Sequence, residues 1–325
     1  MNFKNHPLSG LNFSEIRGKI TFKRPMRSLT WLRVGGDAEI FFQPLDLDDL
    51  SKFLFLLPVS IRVLPIGVCS NLLVRDGGIR GAVVRLGRGF SEIKIDDCNV
   101  IAGGAALDSR VAEVAADKGI DLSFLRTIPG TIGGAVKMNA GCYGTCLSEV
   151  FESCKIVTRS GETKVLKGSD LKFSYRESNL PDDSIVTSVT LRGKKLDPHH
   201  IKNTMKENQK KRLDSQPIKE KTGGSTFKNP KEVHQYSGML MSAWQLIDRA
   251  NLRGKKMKGA QVSELHSNFL INLGAARAED FESLGELIQE KVYLDSGIKL
   301  EWEIKKVGLR CRLEHSSSNL ENSHE

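Results

Sequence analysis

The chain has 325 residues, 39% of them hydrophobic and 27% charged, a soluble composition too long for one ordinary core, so two or three domains are expected. The 48 Lys and Arg outnumber the 39 Asp and Glu for a net charge of +9, spread along the chain with only 6% aromatic residues, which suits an enzyme of small polyanions as well as a nucleic-acid binder. No apolar run approaches the ~18 residues of a membrane span, the start lacks the apolar core of a signal peptide, and six scattered cysteines without metal-type or redox spacing point to free thiols in a reducing cytoplasm and to no metal site.

Residues 1–19 have no clear period and read as an N-terminal extension. Ile20 to Pro44 reads as short strands broken at Gly35-Gly36. Leu45 to Leu57 has helical spacing and stops before Pro58. A strand, Ile61–Ile66, feeds the loop Gly67-Val-Cys-Ser-Asn-Leu-Leu-Val-Arg-Asp-Gly-Gly78, and a second strand runs from Gly81 to Leu86. A strand ending at Val100–Gly104 and a helix over Leu107–Lys118 follow. Then Pro129 to Gly144 packs five glycines into sixteen residues with a single charge, Lys137. Glycine inside a regular element costs roughly 0.5–1 kcal/mol relative to alanine, so such a run needs a reason. Pro129-Gly130 opens a turn, and Gly133-Gly134 would let main-chain amides converge on phosphate oxygens, with Met138, Asn139 and Ala140 as a wall beside them. A tight buried crossover between strands explains the same residues.

Phe151 to Arg192 reads as β-rich, with a polar loop, Phe173-Ser-Tyr-Arg-Glu-Ser-Asn179. The glycines are not the G-x-G-x-x-G turn of a doubly wound nucleotide fold, which disfavours that fold. Asp197-Pro-His-His200 reads as a linker into a helix, Ile201–Arg212. Helices are further expected over Gly238–Ala250 and Glu279–Leu294, and a strand over Lys299–Gly308. In that strand Leu300, Trp302 and Ile304 would share one face and Glu301, Glu303 and Lys305 the other. The residues beyond Arg310 are polar and expected to be disordered.

Four blocks occur together: Gly67-Val-Cys-Ser-Asn-Leu-Leu-Val, Ile128-Pro-Gly-Thr-Ile-Gly-Gly-Ala with Met138-Asn-Ala-Gly, Gly224-Ser-Thr-Phe-Lys-Asn-Pro, and Leu300-Glu-Trp-Glu-Ile-Lys-Lys-Val-Gly. In content and order, over about residues 20–309, they resemble the UDP-N-acetylenolpyruvoylglucosamine reductase family, flavoenzymes of peptidoglycan precursor synthesis, in its shorter variant. One departure is Cys69, where the family usually has glycine. The resemblance implies an α+β fold. Residues 20–192 would be a two-lobed FAD-binding domain of the vanillyl-alcohol-oxidase type, and residues 200–309 a smaller α+β substrate-binding domain, with 310–325 as tail. It implies non-covalent FAD held by Gly67, Cys69, Ser70, Asn71, Leu72, Pro129, Gly130, Thr131, Gly133, Gly134, Met138, Asn139 and Ala140. NADPH would be the co-substrate and the enolpyruvyl nucleotide sugar the substrate, with no nucleic acid, no membrane and a monomeric enzyme.

The family reaction adds hydride to one vinyl carbon of an enol ether and a proton to its neighbour, so charge grows on the adjoining carboxylate. That chemistry asks for a fixed cation, a polar group in reach and a proton donor. The resemblance supplies Arg176, Glu303 and Ser225. As bare sequence features, Arg176 also reads as a surface arginine paired with Glu177, and Ser225 as a loop serine with Thr226 as a decoy. Periodicity does not separate Glu301 from Glu303; the family motif selects Glu303. Tyr175, Arg212, Lys228, Asn229 and Asn268 are the further substrate-binding candidates. A sugar or lactone oxidase on the same fold, and an oligonucleotide binder using the basic run 202–221, are the alternatives.

Overall fold

The computed structural model describes residues 12–235 and 237–311. Most of the expected tail, from residue 312, and the first eleven residues of the expected extension lie outside them. Residues 12–18 of the expected extension are packed onto the first domain. They lie on helix α1 (Leu47–Leu56), where Phe13 stacks on Phe53 at 5.9 Å and the Arg17 amide donates to Asp49 at 2.7 Å.

Two larger sheets build the first part of the chain. The first has the order Lys19–Pro25, Asp37–Gln43, Ile79–Arg85, Val63–Ile66; the outer pair is antiparallel and the rest parallel. A parallel neighbour needs a crossover, and α1 supplies one between Asp37–Gln43 and Val63–Ile66. Asp46 caps it by accepting from the Asp49 amide, Leu50, Phe53 and Leu54 bury its apolar stripe, and Pro58 follows its end. The second sheet is antiparallel throughout, with the order Thr163–Lys167, Phe151–Val157, Ile185–Arg192, Asn99–Gly103, Ile93–Asp96. Its core takes in Val111 and Ala115 of α2 (Asp108–Asp117), Ile132 and Val136 of α3 (Ile132–Met138), and Ile201 and Met205 of α4 (Pro198–Ser215). The expected boundary at residue 200 gives α4 to the C-terminal domain; its apolar side lies instead in the core of the second lobe.

The C-terminal part is a four-stranded antiparallel sheet, Thr222–Ser225, Phe269–Asn272, Ala260–Val262, Lys256–Met257, packed against α5 (Ala243–Arg249) and α6 (Ala278–Ser296). Residues 238–242 stay outside α5 because the capping box at Ser242, whose amide donates to Gln245 at 2.9 Å, starts the helix there. The expected strand over 299–308 shortens to Lys305–Val307, which runs parallel to Leu72–Val74 of the first lobe. The first lobe also caps α6: Asp76 accepts from the amides of Ala278 and Glu279 at 3.1 and 3.0 Å. Leu32, Val34 and Leu73 complete the C-terminal core. Among the described residues no helix is long and apolar enough to cross a membrane, and no cluster of side chains suits a metal ion.

Candidate active site

The first glycine-rich loop leaves the strand Val63–Ile66 and turns at Cys69, whose φ of +58° is the left-handed conformation that glycine adopts without strain. A Cβ at Gly67 would stand 2.5 Å from Thr131 Oγ1, so this loop and the second one touch there. Burial pushes the Cys69 thiol up to about 11, although the nearby Arg85 charge pulls the other way. Asn71 reaches across the molecule. Its side-chain amide donates to the Glu303 carbonyl at 3.2 Å, and its own carbonyl accepts from the Lys305 amide at 3.0 Å. Leu72 then pairs with Lys305.

The second glycine-rich stretch is not the open nest expected over Gly133-Gly134. Residues Ile132–Met138 form helix α3, and the amides of Ile132 and Gly133 donate to the Ala106 and Gly104 carbonyls at 2.9 and 3.0 Å. A Cβ at Gly133 would sit 3.0 Å from the Gly104 oxygen, so close backbone packing explains this glycine. Asn139 ends the helix at φ +40°. Its amide donates to Ser174 O at 2.9 Å and its oxygen accepts from the Ser148 amide at 3.0 Å, so the side chain ties neighbouring loops together. Ala140 bonds through its main chain to Ala135 and Leu147. The sulfur of Met138 lies 3.9 Å from the Asn71 amide.

Between the two loops and α4 lies a cavity of about 710 Å³, within the usual range of small-molecule sites. Val68, Ser70, Pro129 and Gly130 form one wall, and Gly224 opens on it with nothing within 4 Å of a Cβ position. Arg33, Arg85, Arg126 and Arg212 line it without any acidic residue. Burial pulls the Arg212 guanidinium below its ordinary value. A concave cationic site with bare main chain on one side fits the diphosphate of a dinucleotide such as FAD. Arg33, Arg85 and Arg126 lie on three segments distant in sequence, and single arginines so placed carry no periodic signal.

Arg176 occupies the turn of a hairpin, Phe173–Ser174 to Glu177–Ser178, at φ +60°. The segment expected as a polar loop is thus a hairpin turned at Arg176. Its Nε donates to Glu303 Oε1 at 2.8 Å, and its guanidinium lies 5.0 Å from the centre of the Tyr175 ring. Glu303 is the inward glutamate: its side chain is 14% exposed, against 74% for Glu301. Burial pushes the Glu303 carboxyl above its ordinary value, with the Arg176 charge opposing. The Glu303 amide donates to Thr226 O at 2.8 Å, which brings the segment holding Ser225 against it. Ser225 ends the strand Thr222–Ser225 opposite Phe269, just after Gly224 at φ +82°. Lys228 faces Glu301 at 3.4 Å. Asn229 accepts from the Ala243 amide at 3.0 Å. Asn268 is buried and bonds the Phe227 main chain through both its oxygen and its amide, at 2.9 and 2.8 Å, so it shapes the Phe227 loop.

Residues 38–167 match the family model described as FAD binding domain, and residues 216–307 match that of the UDP-N-acetylenolpyruvoylglucosamine reductase C-terminal domain. The chain is 52% identical over 307 residues to the UDP-N-acetylenolpyruvoylglucosamine reductase of Ruegeria pomeroyi, covering 92% of this chain and 98% of that protein. It is 49% identical over 303 residues to that of Roseobacter denitrificans, covering 90% and 96%. The crystal structure of UDP-N-acetylenolpyruvylglucosamine reductase from Thermus caldophilus superposes with a TM-score of 0.75 at 32% identity, over 90% of this chain and 99% of that one. With its glycine-rich loops, its C-terminal sheet and its length all matched, the chain belongs to the UDP-N-acetylenolpyruvoylglucosamine reductase family.

Proposed function

We propose that the protein reduces UDP-N-acetylglucosamine enolpyruvate to UDP-N-acetylmuramate, a step of peptidoglycan precursor synthesis, with non-covalent FAD and NADPH. The observation that carries this reading is the meeting of Arg176 and Glu303 at 2.8 Å beside the segment that holds Ser225. Bound FAD would carry hydride from NADPH to the alkene. The main chain at Val68–Ser70 and Pro129–Gly130, with Arg33, Arg85 and Arg126 of the cavity, would hold its diphosphate. Arg176 grips the substrate carboxylate through two parallel bonds and steadies the charge that grows there. Ser225 gives a proton to the adjoining carbon. A serine is a weak acid, so this transfer needs a carbon made strongly basic in a site shut off from water. Lys228 and Arg212 supply positive charge for the nucleotide diphosphate. We further place the enzyme in the cytoplasm as a monomer, in keeping with its free thiols.

An anaerobic titration tests the reading. NADPH should bleach the yellow enzyme and the enolpyruvyl nucleotide sugar should restore the colour without oxygen. A colourless preparation, or colour restored by oxygen alone, sinks it. Ser225→Ala should leave bleaching intact and slow only the second phase.

A further inference from the structure

We propose that Glu303 is the resting counter-ion of Arg176, that the carboxylate of the entering nucleotide sugar takes its place, and that Glu303 binds a proton from water as it is displaced. This rests on the function proposed above. The main chains of both partners are pinned. The hairpin that carries Arg176 is held by Asn139 Nδ2 to Ser174 O at 2.9 Å and by Ser178 Oγ to Lys137 O at 3.1 Å. Glu303 is held on both sides, by its amide to Thr226 O at 2.8 Å and by Asn71 Nδ2 to its carbonyl at 3.2 Å. The exchange therefore proceeds by rotation of the Glu303 side chain, and the displaced carboxyl stays within the site.

The charged groups that face this carboxyl are Arg176, Lys228 and Lys305. Lys228 is engaged with Glu301 at 3.4 Å, which leaves Arg176 as the cation in direct contact. Once that contact passes to the substrate, an 86%-buried carboxyl (14% exposed) stands beside a second carboxylate. Two carboxylates sharing one site do not both stay ionised, and burial already favours the neutral form here. Protonated Glu303 then donates a hydrogen bond towards the substrate carboxylate, where an ionised one would repel the growing charge. The proton forms an O–H bond at Glu303 and returns to water when the product leaves and the ion pair closes again.

Calorimetric titration of the oxidised holoenzyme at pH 7, without NADPH, in buffers of different ionisation enthalpy tests this. The enolpyruvyl nucleotide sugar should bind with uptake of close to one proton per site. UDP-N-acetylglucosamine, which has no carboxylate, should bind with none, and Glu303→Gln should bind the enolpyruvyl ligand with none. Stoichiometric binding without proton uptake by the wild type, or the same uptake in Glu303→Gln, overturns the exchange while leaving the proposed function standing. Failure of the wild type to bind the enolpyruvyl ligand overturns both. If Glu303→Gln does not fold, the contrast between the two ligands on the wild type decides alone.

Discussion

Asn71 donates its side-chain amide to the main-chain oxygen of Glu303 at 3.2 Å, so a residue of the first glycine-rich loop fixes one 232 positions later. Asn71→Ala removes this bond and leaves a part-buried carbonyl without its donor, at a cost of about 1–2 kcal/mol. We expect a lower Tm, faster loss of flavin and a kcat reduced about tenfold. Thermal unfolding followed by flavin fluorescence, with steady-state kinetics, checks this. Weaker flavin binding at unchanged kcat would show that the bond does not position Glu303.

Gly285 of α6 lies against the indole of Trp302, where a Cβ would come within 2.1 Å of Cζ2 and 2.5 Å of Cη2. On an open helix face alanine would add up to ~1 kcal/mol of stability. Here overpacking costs about 1–3 kcal/mol. Trp302 is braced by Gln289 at 3.3 Å and by the Phe227 ring at 5.2 Å, and any shift passes directly to Glu303. Gly285→Ala should lower both Tm and kcat. Adding Trp302→Phe, which removes the clashing atoms, should restore part of the Tm. A Gly285→Ala enzyme more stable than wild type would contradict this packing.

Arg75 bridges the first lobe to α6 by pairing with Glu282 at 2.9 Å, a carboxylate only 6% exposed. Arg75→Ala removes the hydrogen-bonded partner of that buried carboxylate and leaves only the longer contacts to Arg310 at 3.5 Å and Lys306 at 4.0 Å, at a cost of about 2 kcal/mol. Burial alone would raise the Glu282 carboxyl, but the hydrogen bond and charge of Arg75, with Arg310 and Lys306, hold it below its ordinary value of 4.5. A depressed folded value means the contribution is complete above the unfolded value and is lost as pH falls through the folded one. The Tm advantage of wild type over Glu282→Gln should therefore be constant near neutrality and shrink as the pH drops below about 4.5. A difference that does not vary with pH would exclude the ion pair as its source.

Cys69 combines a left-handed backbone with a buried thiol pushed up to about 11. Cys69→Gly relieves the backbone and loses some packing, so its stability should stay within about 1 kcal/mol of wild type. A β-branched residue is strained in that conformation, and Cys69→Val should cost about 2 kcal/mol or more. The native thiol should resist iodoacetamide at pH 8 while exposed Cys311 reacts, as peptide mass spectrometry would read.

The elements with their own local signals were legible in the sequence. Helix α1 is legible in its leucine spacing and Pro58, and α6 in Phe281, Leu284, Ile288 and the Gly297 cap. The glycines of α3 read either as an open nest or as tight buried packing, and the sequence does not choose between the two. Gly133 answers to the Gly104 carbonyl, a contact across about thirty residues that no local rule encodes. Glu301 and Glu303 differ in burial because the chain is strand only from Lys305 onward and is pinned before that by Thr226 and Asn71. Strand alternation does not hold there. Asn268 resembles a ligand contact in sequence, and only the fold shows both its polar ends committed to Phe227.

The parallel pairing of Lys305–Val307 with Leu72–Val74 has a consequence for biogenesis. A nascent chain emerges from its N-terminus, so the first lobe waits unfinished through the synthesis of more than two hundred further residues. The edge at Leu72–Val74 is closed only as the last stretch leaves the ribosome. If the loop just before that edge holds the flavin as proposed, its uptake should be deferred until translation is nearly over, and fragments ending before Lys305 should be isolated colourless.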